Sequence, residues 1–167
     1  MNNSLAKRYV LFWLISIVSV VIDQLSKAWI SSHLAIGQNI HLFGILNVTH
    51  IHNTGAAWGM FNNSTMVLTV FSVIAALAFL IFFLFFSHRI AYMNTTSFTV
   101  CFAMIYSGTV GNLIDRAVNK YVVDFISVGN FPVFNVADSY IVCGCILLAI
   151  LLIFVVKDSD ENKKDES

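Results

Sequence analysis

The side chains of this chain that could carry out acid–base chemistry are few, because only four of its nine acidic residues lie before the polar C-terminal tail. All four fall in or beside apolar segments, where a charged side chain costs about 2.5 to 3.5 kcal/mol on membrane-insertion scales. Acids kept at that cost indicate a functional site. Two carboxylates close together can share one proton and so act as an acid and a base. The four are Asp23, Asp115, Asp124 and Asp138.

Asp124 is the acid for which a function is favoured over a structural role. It lies between Val122 and Val123 on one side and Phe125 and Ile126 on the other. An unpaired carboxylate in such surroundings would be costly to bury. No adjacent basic residue and no helix start explains its presence, so chemistry is the favoured interpretation.

Structural explanations are available for the other three acids. Asp23 precedes Lys27 by four residues, the acid-first order that favours an ion pair on a helix. Asp115 lies beside Arg116 at the end of an apolar segment, where a supporting ion pair is expected. Asp138 opens the last apolar segment and could cap its first turn, because Asp is a preferred N-cap residue. A functional role stays open for each of them.

Two other chemistries have weaker support. His50 and His52 are two residues apart and could form half of a metal site, but no third ligand has matching spacing. A histidine pair in a loop is the favoured interpretation. Ser107 stands beside Gly108, yet no histidine lies in that apolar segment or the next to act as its base. We therefore expect no metal and no other cofactor.

Several small residues in the apolar segments are interpreted as packing residues. Gly108 and Gly111 are spaced so that one face of a helix could approach its neighbours closely. The cysteines show no pattern of a disulfide framework or a zinc site. Cys101, Cys143 and Cys145 are therefore predicted to fill space as small buried side chains.

The elements that must position these side chains are membrane-spanning helices. The chain of 167 residues is 58% hydrophobic and 11% charged, with a mean hydropathy of +0.81. Soluble domains are about a quarter charged. Four apolar segments approach the length of about 20 residues that crosses a hydrocarbon core of about 30 Å. They run from about Tyr9 to Ile30, Met66 to Phe86, Phe98 to Ile114 and Tyr140 to Val156.

The basic residues indicate the orientation of these helices. Six lie on one side and three on the other, and because basic loops stay in the cytoplasm, both termini are predicted to be cytoplasmic. The first segment is too long for the core of a signal peptide, so we expect it to be retained. A net charge of zero gives no indication of a nucleic-acid partner. The inner set is Lys7, Arg8, Arg89, Lys157, Lys163 and Lys164, and the outer set is Lys27, Arg116 and Lys120.

The long first outer loop, about residues 31–65, contains a predicted strand. Its residues alternate over 46–53, which places Leu46, Val48, His50 and His52 on one face. We expect a small sheet on the outer leaflet, followed by Trp58 as an aromatic residue at the membrane interface.

The chain is predicted to form one domain. Residues 1–157 would make up the four-helix unit with its outer β-rich loop. Residues 158–167 are polar and mixed in charge, which is typical of a disordered tail. The predicted fold class is therefore membrane all-α with a small extracytoplasmic β element.

Five motifs of the chain resemble, in order and over essentially its whole length, those of the bacterial lipoprotein signal peptidases, also called signal peptidase II. They are Asp23-Gln24-Leu25-Ser26-Lys27, Asn53-Thr54-Gly55-Ala56, Gly108-Thr109-Val110-Gly111-Asn112-Leu113-Ile114-Asp115-Arg116, Val122-Val123-Asp124-Phe125-Ile126 and Phe134-Asn135-Val136-Ala137-Asp138. One such motif would be weak support, but five in the expected topological places are specific. No motif position departs from the pattern.

The resemblance implies an endopeptidase of the cell membrane that cleaves diacylglyceryl-modified prolipoproteins just before the lipidated cysteine. Asp124 and Asp138 would be its catalytic pair, on the extracytoplasmic side, and would activate water without a cofactor. The loop carrying Trp58 would help to cover the substrate. Prolipoproteins and membrane lipids would be its partners, and a monomer is expected. The substrate-binding or supporting residues would be Asp23, Lys27, Asn53, Gly55, Gly108, Asn112, Asp115, Arg116 and Asn135.

Two alternatives come from other classes of protein. Intramembrane acids also occur in proton- and ion-coupled transporters, but here they lie toward one end of the helices instead of forming a relay through the membrane. Ion flux in vesicles would reveal a transporter. The second alternative is a noncatalytic subunit that scaffolds another enzyme, which cleavage by the purified chain alone would exclude.

Overall fold

The computed structural model of the chain describes residues 3–55 and 65–165, with the side chains of residues 4–55 and 65–155. Trp58 and its predicted role lie outside these residues. The helices are α1 (Asn3–His33), α2 (Thr65–Ile81), α3 (Thr96–Asn119) and α4 (Val136–Asp165), and the strands are β1 (Asn39–Phe43), β2 (Leu46–Asn53) and β3 (Val122–Val128). A π turn, Phe82–Phe86, and two 3-10 turns, Ser87–Arg89 and Ala91–Met93, follow α2.

Four helices are long and apolar enough to cross a membrane, and each contains most of one predicted segment. In the described part of the chain they are Ser4–His33, Thr65–Arg89, Thr96–Asn119 and Val136–Val155. Many of their apolar side chains face outward, where lipid tails can cover them as well as protein would. The predicted fold, mostly helical with four spans and a small sheet, is confirmed.

Helix α3 lies at the centre of the bundle and packs against α1, α2 and α4. Of its span, 56% is buried, against 22% or less in the other three. Glycines permit the close approach. A Cβ on Gly108 would collide with the Ala137 carbonyl oxygen, and one on Gly111 would lie 2.6 Å from Asp23 Oδ2. The prediction that both glycines are close-packing residues is confirmed.

The cysteines divide into two groups. Cys101 on α3 is buried, as predicted for a packing residue, but Cys143 and Cys145 on α4 are exposed, so the prediction is wrong for these two. Gly144 between them makes the contact with α3, because a Cβ there would lie 2.8 Å from Ile105 Cγ1. Successive residues on a helix are separated by about 100°. The two cysteines therefore flank the contact on opposite sides.

The sheet is antiparallel with the strand order β1-β2-β3. Strand β2 has the predicted bounds, whereas β1 and β3 lie in segments interpreted as loop. The register of β2 on β3 shifts between Val48, which pairs with Ile126, and Ile51, which pairs with Asp124. An extra residue at a bulge reverses the faces beyond it. The predicted single face that contains both Val48 and His52 is therefore wrong, because Val48 pairs with Ile126 and His52 pairs with Val123.

At the end of the bundle opposite the sheet, Arg8 forms hydrogen bonds that join α1 to the start of α3 and the turn before it. Its guanidinium donates to Thr99 Oγ1 at 2.9 Å, to the Met93 carbonyl oxygen at 3.0 Å and to Asn94 Oδ1, and it lies over the Phe83 ring. A residue interpreted only as an inner positive charge is thus buried and joins α1 to the start of α3. Helix α4 continues to Asp165, and the disorder of residues 158–167 stays a prediction.

Candidate active site

Asn135, which immediately precedes α4, forms hydrogen bonds with two carboxylates. Its side-chain Nδ2 donates to Asp124 Oδ1 on β3 at 2.7 Å. Its backbone N–H donates to Asp138 Oδ2 at 3.1 Å, and the Asp138 N–H donates back to Asn135 Oδ1 at 3.0 Å. This reciprocal pair is a capping box. Asn135 is therefore the N-cap of α4, and the suggestion that Asp138 caps the helix is wrong: Asp138 is the third residue of its first turn.

The other oxygen of each carboxylate also accepts an amide hydrogen bond. Asn53 Nδ2, at the end of β2, donates to Asp124 Oδ2 at 2.8 Å. Asn112 Nδ2, on α3, donates to Asp138 Oδ1 at 2.7 Å. The Gly55 N–H donates to Asn53 Oδ1 at 2.9 Å and so orients that amide toward Asp124. The two acids, on β3 and α4, are therefore held in place by hydrogen bonds from β2, α3 and the N-cap of α4.

A buried ammonium group lies behind the carboxylates. Lys27 Nζ is 2.8 Å from Asp23 Oδ2 and 3.0 Å from Asp115 Oδ2, and it donates to Asn112 Oδ1 at 3.0 Å. The predicted ion pair of Asp23 with Lys27 is confirmed. The supporting ion pair expected for Asp115 exists, but its partner is Lys27 and not the adjacent Arg116. Because Lys27 occupies Asn112 Oδ1, the Nδ2 of that amide is directed at Asp138.

Asp23 and Asp115 also bind backbone amides next to the two candidate acids. Asp23 Oδ1 accepts from the Ala137 N–H at 2.9 Å, and Asp115 Oδ2 accepts from the Val123 N–H at 3.1 Å. Ala137 directly precedes Asp138, and Val123 directly precedes Asp124. The acids of α1 and α3 therefore position the acids of α4 and β3.

The environment of Asp124 favours its neutral form. The residue is 3% exposed, and burial raises the pKa of its carboxyl from 3.8 to about 7. The hydrogen bonds from Asn53 and Asn135 lower this pKa, and the negative charge of Asp138 raises it. A carboxyl poised near neutral pH can hold or release a proton under physiological conditions.

Both acids line one cavity of about 570 Å³. One end is polar and is formed by Asn53, Gly55, Asn112, Arg116, Asp124 and Asp138. Arg116 follows Asn112 by four residues, so both lie on the face of α3 that borders the cavity. The remaining lining is mostly apolar and comes from Val122, Phe131, Pro132, Val133, Phe134, Ser139, Val142 and Cys143.

Every candidate site residue lines this cavity or lies behind the residues that line it. Gly108 lies at the packing contact of α3 with α4. Sequence reasoning missed Gln24, whose Nε2 donates to the Gly111 carbonyl oxygen and to Asp115 Oδ1, each at 3.1 Å. It also missed Ser139, Val142 and Cys143, although Val142 follows Asp138 by four residues, a spacing that places both on one face of a helix.

The two histidines of β2, His50 and His52, contact each other, with ring centroids 4.9 Å apart. His50 is buried and its Nδ1 is 2.9 Å from the Leu34 carbonyl oxygen. The His52 ring stacks on Tyr121 at 3.7 Å, and burial together with the neighbouring His50 lowers its pKa. Among the described residues, no three His, Cys, Asp or Glu side chains are grouped so that they could hold a metal ion.

The fold and the site define a multi-pass membrane protein with two carboxylates beside a cavity, of which Asp124 is buried and Asp138 is partly buried. Two solved structures described as bacterial membrane enzymes share this fold, with TM-scores of 0.79 and 0.74 at 31% and 32% identity. They cover 88% and 84% of this chain and 90% and 91% of their own. The family model for signal peptidase (SPase) II matches residues 15–154. The chain belongs to the signal peptidase II family and is thus a protease.

Relatives named lipoprotein signal peptidase come from several bacteria. The protein of Dehalococcoides mccartyi is 38% identical over 93% of this chain and 98% of its own. That of Enterococcus faecalis is 34% identical over 92% of this chain and 94% of its own. That of Streptococcus pyogenes is 37% identical over 85% of this chain and 92% of its own. Membership of this family favours the protease over the transporter and the scaffold subunit.

Proposed function

We propose that this chain removes signal peptides from diacylglyceryl-modified prolipoproteins by cleaving just before the lipidated cysteine, with Asp124 and Asp138 as an aspartic catalytic pair. The observation that carries the proposal is that Asn135 binds both carboxylates at the polar end of one cavity. Two acids held this way can divide the roles of acid and base between them.

The surroundings of the two acids differ, and the difference supports a separate role for each. Asp138 lies in the first turn of α4, where backbone N–H groups and the helix dipole favour a negative charge. Asp124 is buried in β3 and its pKa of about 7 keeps a proton available. Asp138 is therefore the base that deprotonates water, and Asp124 is the acid that donates to the scissile carbonyl oxygen.

The proposed reaction has two steps. The oxygen of water bonds to the carbonyl carbon while its proton passes to Asp138, and Asp124 gives its proton to the carbonyl oxygen. The C–N bond then breaks, the leaving amine takes the proton from Asp138, and Asp124 recovers its own. Arg116, at the same end of the cavity, is assigned to substrate binding.

The substrate must reach the acids with an extended backbone, because the amide groups of a membrane helix are paired internally. In this proposal the small sheet supports such a segment. The end of β1 exposes Leu42 and Phe43, and the β1–β2 turn exposes Ile45, as suits a sheet on the outer leaflet of the cell membrane. We place the site on the extracytoplasmic side and both termini in the cytoplasm. Residues 1–157 act as one domain and as a monomer.

The test is cleavage of a diacylglyceryl precursor and of its unlipidated twin by the purified protein. We expect cleavage of the lipidated precursor only, and none in Asp124→Asn or Asp138→Asn, because an amide cannot transfer the proton. Asp158→Asn, in the tail, is the matched control and should retain wild-type activity. The double variant should lose little more than either single one, since residues that act as a unit are not additive. Near wild-type cleavage by Asp124→Asn would refute the aspartic mechanism.

A further inference from the structure

Two aromatic rings stack on the face of the sheet opposite to Asp124. The ring centroids of His52 and Tyr121 are 3.7 Å apart, and the ring planes differ by 14°. His52 pairs with Val123 across β2 and β3. Because adjacent residues of a strand point to opposite faces, Val123 and His52 share one face and Asp124 points to the other. Tyr121 lies two residues before Val123, so it is the diagonal neighbour of His52 on that same face.

Each ring of this stack is anchored to another part of the fold. The His52 ring contacts the His50 ring edge-on at 4.9 Å. His50 Nδ1 in turn lies 2.9 Å from the carbonyl oxygen of Leu34, the residue that follows α1. On the other side, Tyr121 packs against the apolar cluster that contains Ile30 of α1. The stack is therefore held against the end of α1 from both sides.

The stack lies at the end of the β2–β3 ladder where a site hydrogen bond is formed. Asn53, the last residue of β2, pairs with Val122, the first residue of β3. The ends of elements open more easily than their centres. The hydrogen bond of 2.8 Å from Asn53 Nδ2 to Asp124 Oδ2 persists only while this end is closed. His52 directly precedes Asn53 and Tyr121 directly precedes Val122, so the stack holds this end of the ladder together.

We propose that His52 is a positioning residue for the reaction and that, by stacking on Tyr121, it keeps the amide of Asn53 on the carboxyl of Asp124. The inference rests on the proposed function, because it takes Asp124 as the acid. His52 transfers no proton itself, since its ring lies on the face away from that carboxyl. A contact between two aromatic rings changes an equilibrium constant by about two- to tenfold, and here the equilibrium is the closing of the end of the ladder.

Replacing His52 changes no charge in the pH range of the test. Burial, together with the neighbouring His50, lowers the pKa of His52, so its ring is neutral at pH 7 and above. A change in the titration of Asp124 in that range therefore reports the hydrogen bond from Asn53. The charged groups that act on Asp124 stay intact in every variant, and they are Asp138, Lys27 and Arg116.

The first experiment compares pH–rate profiles of wild type, His52→Ala and His52→Phe with one lipidated substrate. His52→Ala should lower kcat several-fold and move the alkaline limb to higher pH, because a weaker hydrogen bond from Asn53 lets the pKa of Asp124 rise. His52→Phe keeps a flat ring on Tyr121 and should stay within about twofold of wild type. His41→Ala, on the exposed strand β1, is the matched control and should change neither value. A loss of kcat in His52→Ala with an unmoved limb would overturn the proposal.

The second experiment tests whether His52 acts through Asn53. In the Asn53→Ala protein, the further change His52→Ala should cost less than about twofold, because the hydrogen bond that the ring supports is already absent. Equal losses in both backgrounds would mean that the two residues act independently, which contradicts the proposal. Tyr121→Leu removes the stack from the other side and keeps an apolar side chain on the cluster. It should reproduce the effects of His52→Ala, and it takes the place of that variant in all comparisons if His52→Ala does not fold.

The third experiment needs no substrate. In purified protein with isotope-labelled aspartate, the carboxyl resonance that is missing from Asp124→Asn reports the titration of Asp124. Its midpoint should lie at higher pH in His52→Ala than in wild type and should be unchanged in His52→Phe. Equal midpoints in all three proteins would overturn the proposed role of His52. Failure of the wild-type protein to cleave any precursor would instead refute the proposed function, and the titration would still decide whether His52 holds Asn53 on Asp124.

Discussion

Asn135 contacts the two acids through different atoms, and this makes it the residue on which their relative position depends. Its side-chain amide reaches Asp124, while its backbone amide and side-chain oxygen form the capping box with Asp138. The sequence contains the signal for this box, an Asn followed three residues later by an acid. Sequence reasoning considered only the acid as a possible cap because Asp is a common N-cap, although Asn is equally favoured.

The pKa of Asp124 leads to a prediction about pH. If Asp124 must be protonated for catalysis, activity should fall as pH rises through about 7, the pKa to which burial raises this carboxyl. Asn53 donates a hydrogen bond that lowers the same pKa. Asn53→Ala should therefore raise the pKa and move the alkaline limb of kcat/KM to higher pH, whatever its effect on the maximum rate.

The measurement is a pH–rate profile of both proteins with one lipidated substrate. Asn47→Ala, on the same strand but with its side chain at the exposed His41, is the control and should leave the limb in place. A limb that stays fixed in Asn53→Ala would mean that Asp124 is not the group whose deprotonation stops the reaction.

Lys27 provides a prediction about the stability of the site. It has two buried carboxylate partners and one amide partner, so Lys27→Met would leave two buried charges without a counterion. Removal of one partner of a buried ion pair costs about 3 to 5 kcal/mol. We expect a loss of this size in the free energy of unfolding in mixed micelles. Lys120→Met, which removes an exposed ammonium group, should change it by about 0.5 kcal/mol or less.

At the scale of elements, the helices were predictable and two of the three strands were not. A run of about 20 apolar residues is a strong local signal for a spanning helix. Strand β1 has all five residues exposed, so it has no alternating pattern. Strand β3 is buried in four consecutive residues, Val122 to Phe125, and a strand covered on both faces does not alternate either. Both strands are recognised only from their pairing with β2.

Long-range contacts between elements could not be predicted from the sequence either. The pairing of Asp115 with Lys27 joins residues on α3 and α1, whereas the sequence offered the adjacent Arg116 as a partner. The i, i+4 pair of Asp23 and Lys27 could be predicted because both residues lie in one helix. Local chemistry therefore identified the candidate acids and the partner of Asp23, but the partner of Asp115 depended on the packing of α1 against α3.

Arg8 provides a prediction about helix packing. Arg8→Lys keeps the positive charge, so insertion should be unchanged, but a single ammonium group cannot replace the fixed contacts to Thr99, Met93 and Asn94. We expect the free energy of unfolding to fall by about 1.5 to 3 kcal/mol, typical of hydrogen bonds to charged groups. Lys7→Arg, at an exposed neighbour, should leave it unchanged. Equal stability of Arg8→Lys and wild type would mean that Arg8 contributes only its positive charge and that its hydrogen bonds do not stabilise the packing.

For the whole molecule, the basic residues predict the orientation in the membrane. A protease-sensitive tag at the C-terminus should be cut in spheroplasts only after permeabilisation, because six basic residues lie on that side against three on the other. A tag inserted at Gly44, in an open turn with nothing within 4 Å of its Cβ position, should be cut without permeabilisation. Cleavage of the C-terminal tag in intact spheroplasts would invert the orientation and place the candidate site in the cytoplasm.

The hydrogen bond between Asp23 and the Ala137 N–H joins α1, which is translated before the other described helices, to α4, which is translated after them. Until α4 emerges, Asp23 has Lys27 beside it but lacks this amide, and Asp138 has not yet been translated. The proposed catalytic pair therefore forms only when α4 docks against α1. A translation product that stalls or is truncated before α4 lacks Ala137 and Asp138, so under the proposed mechanism we expect it to cleave no precursor.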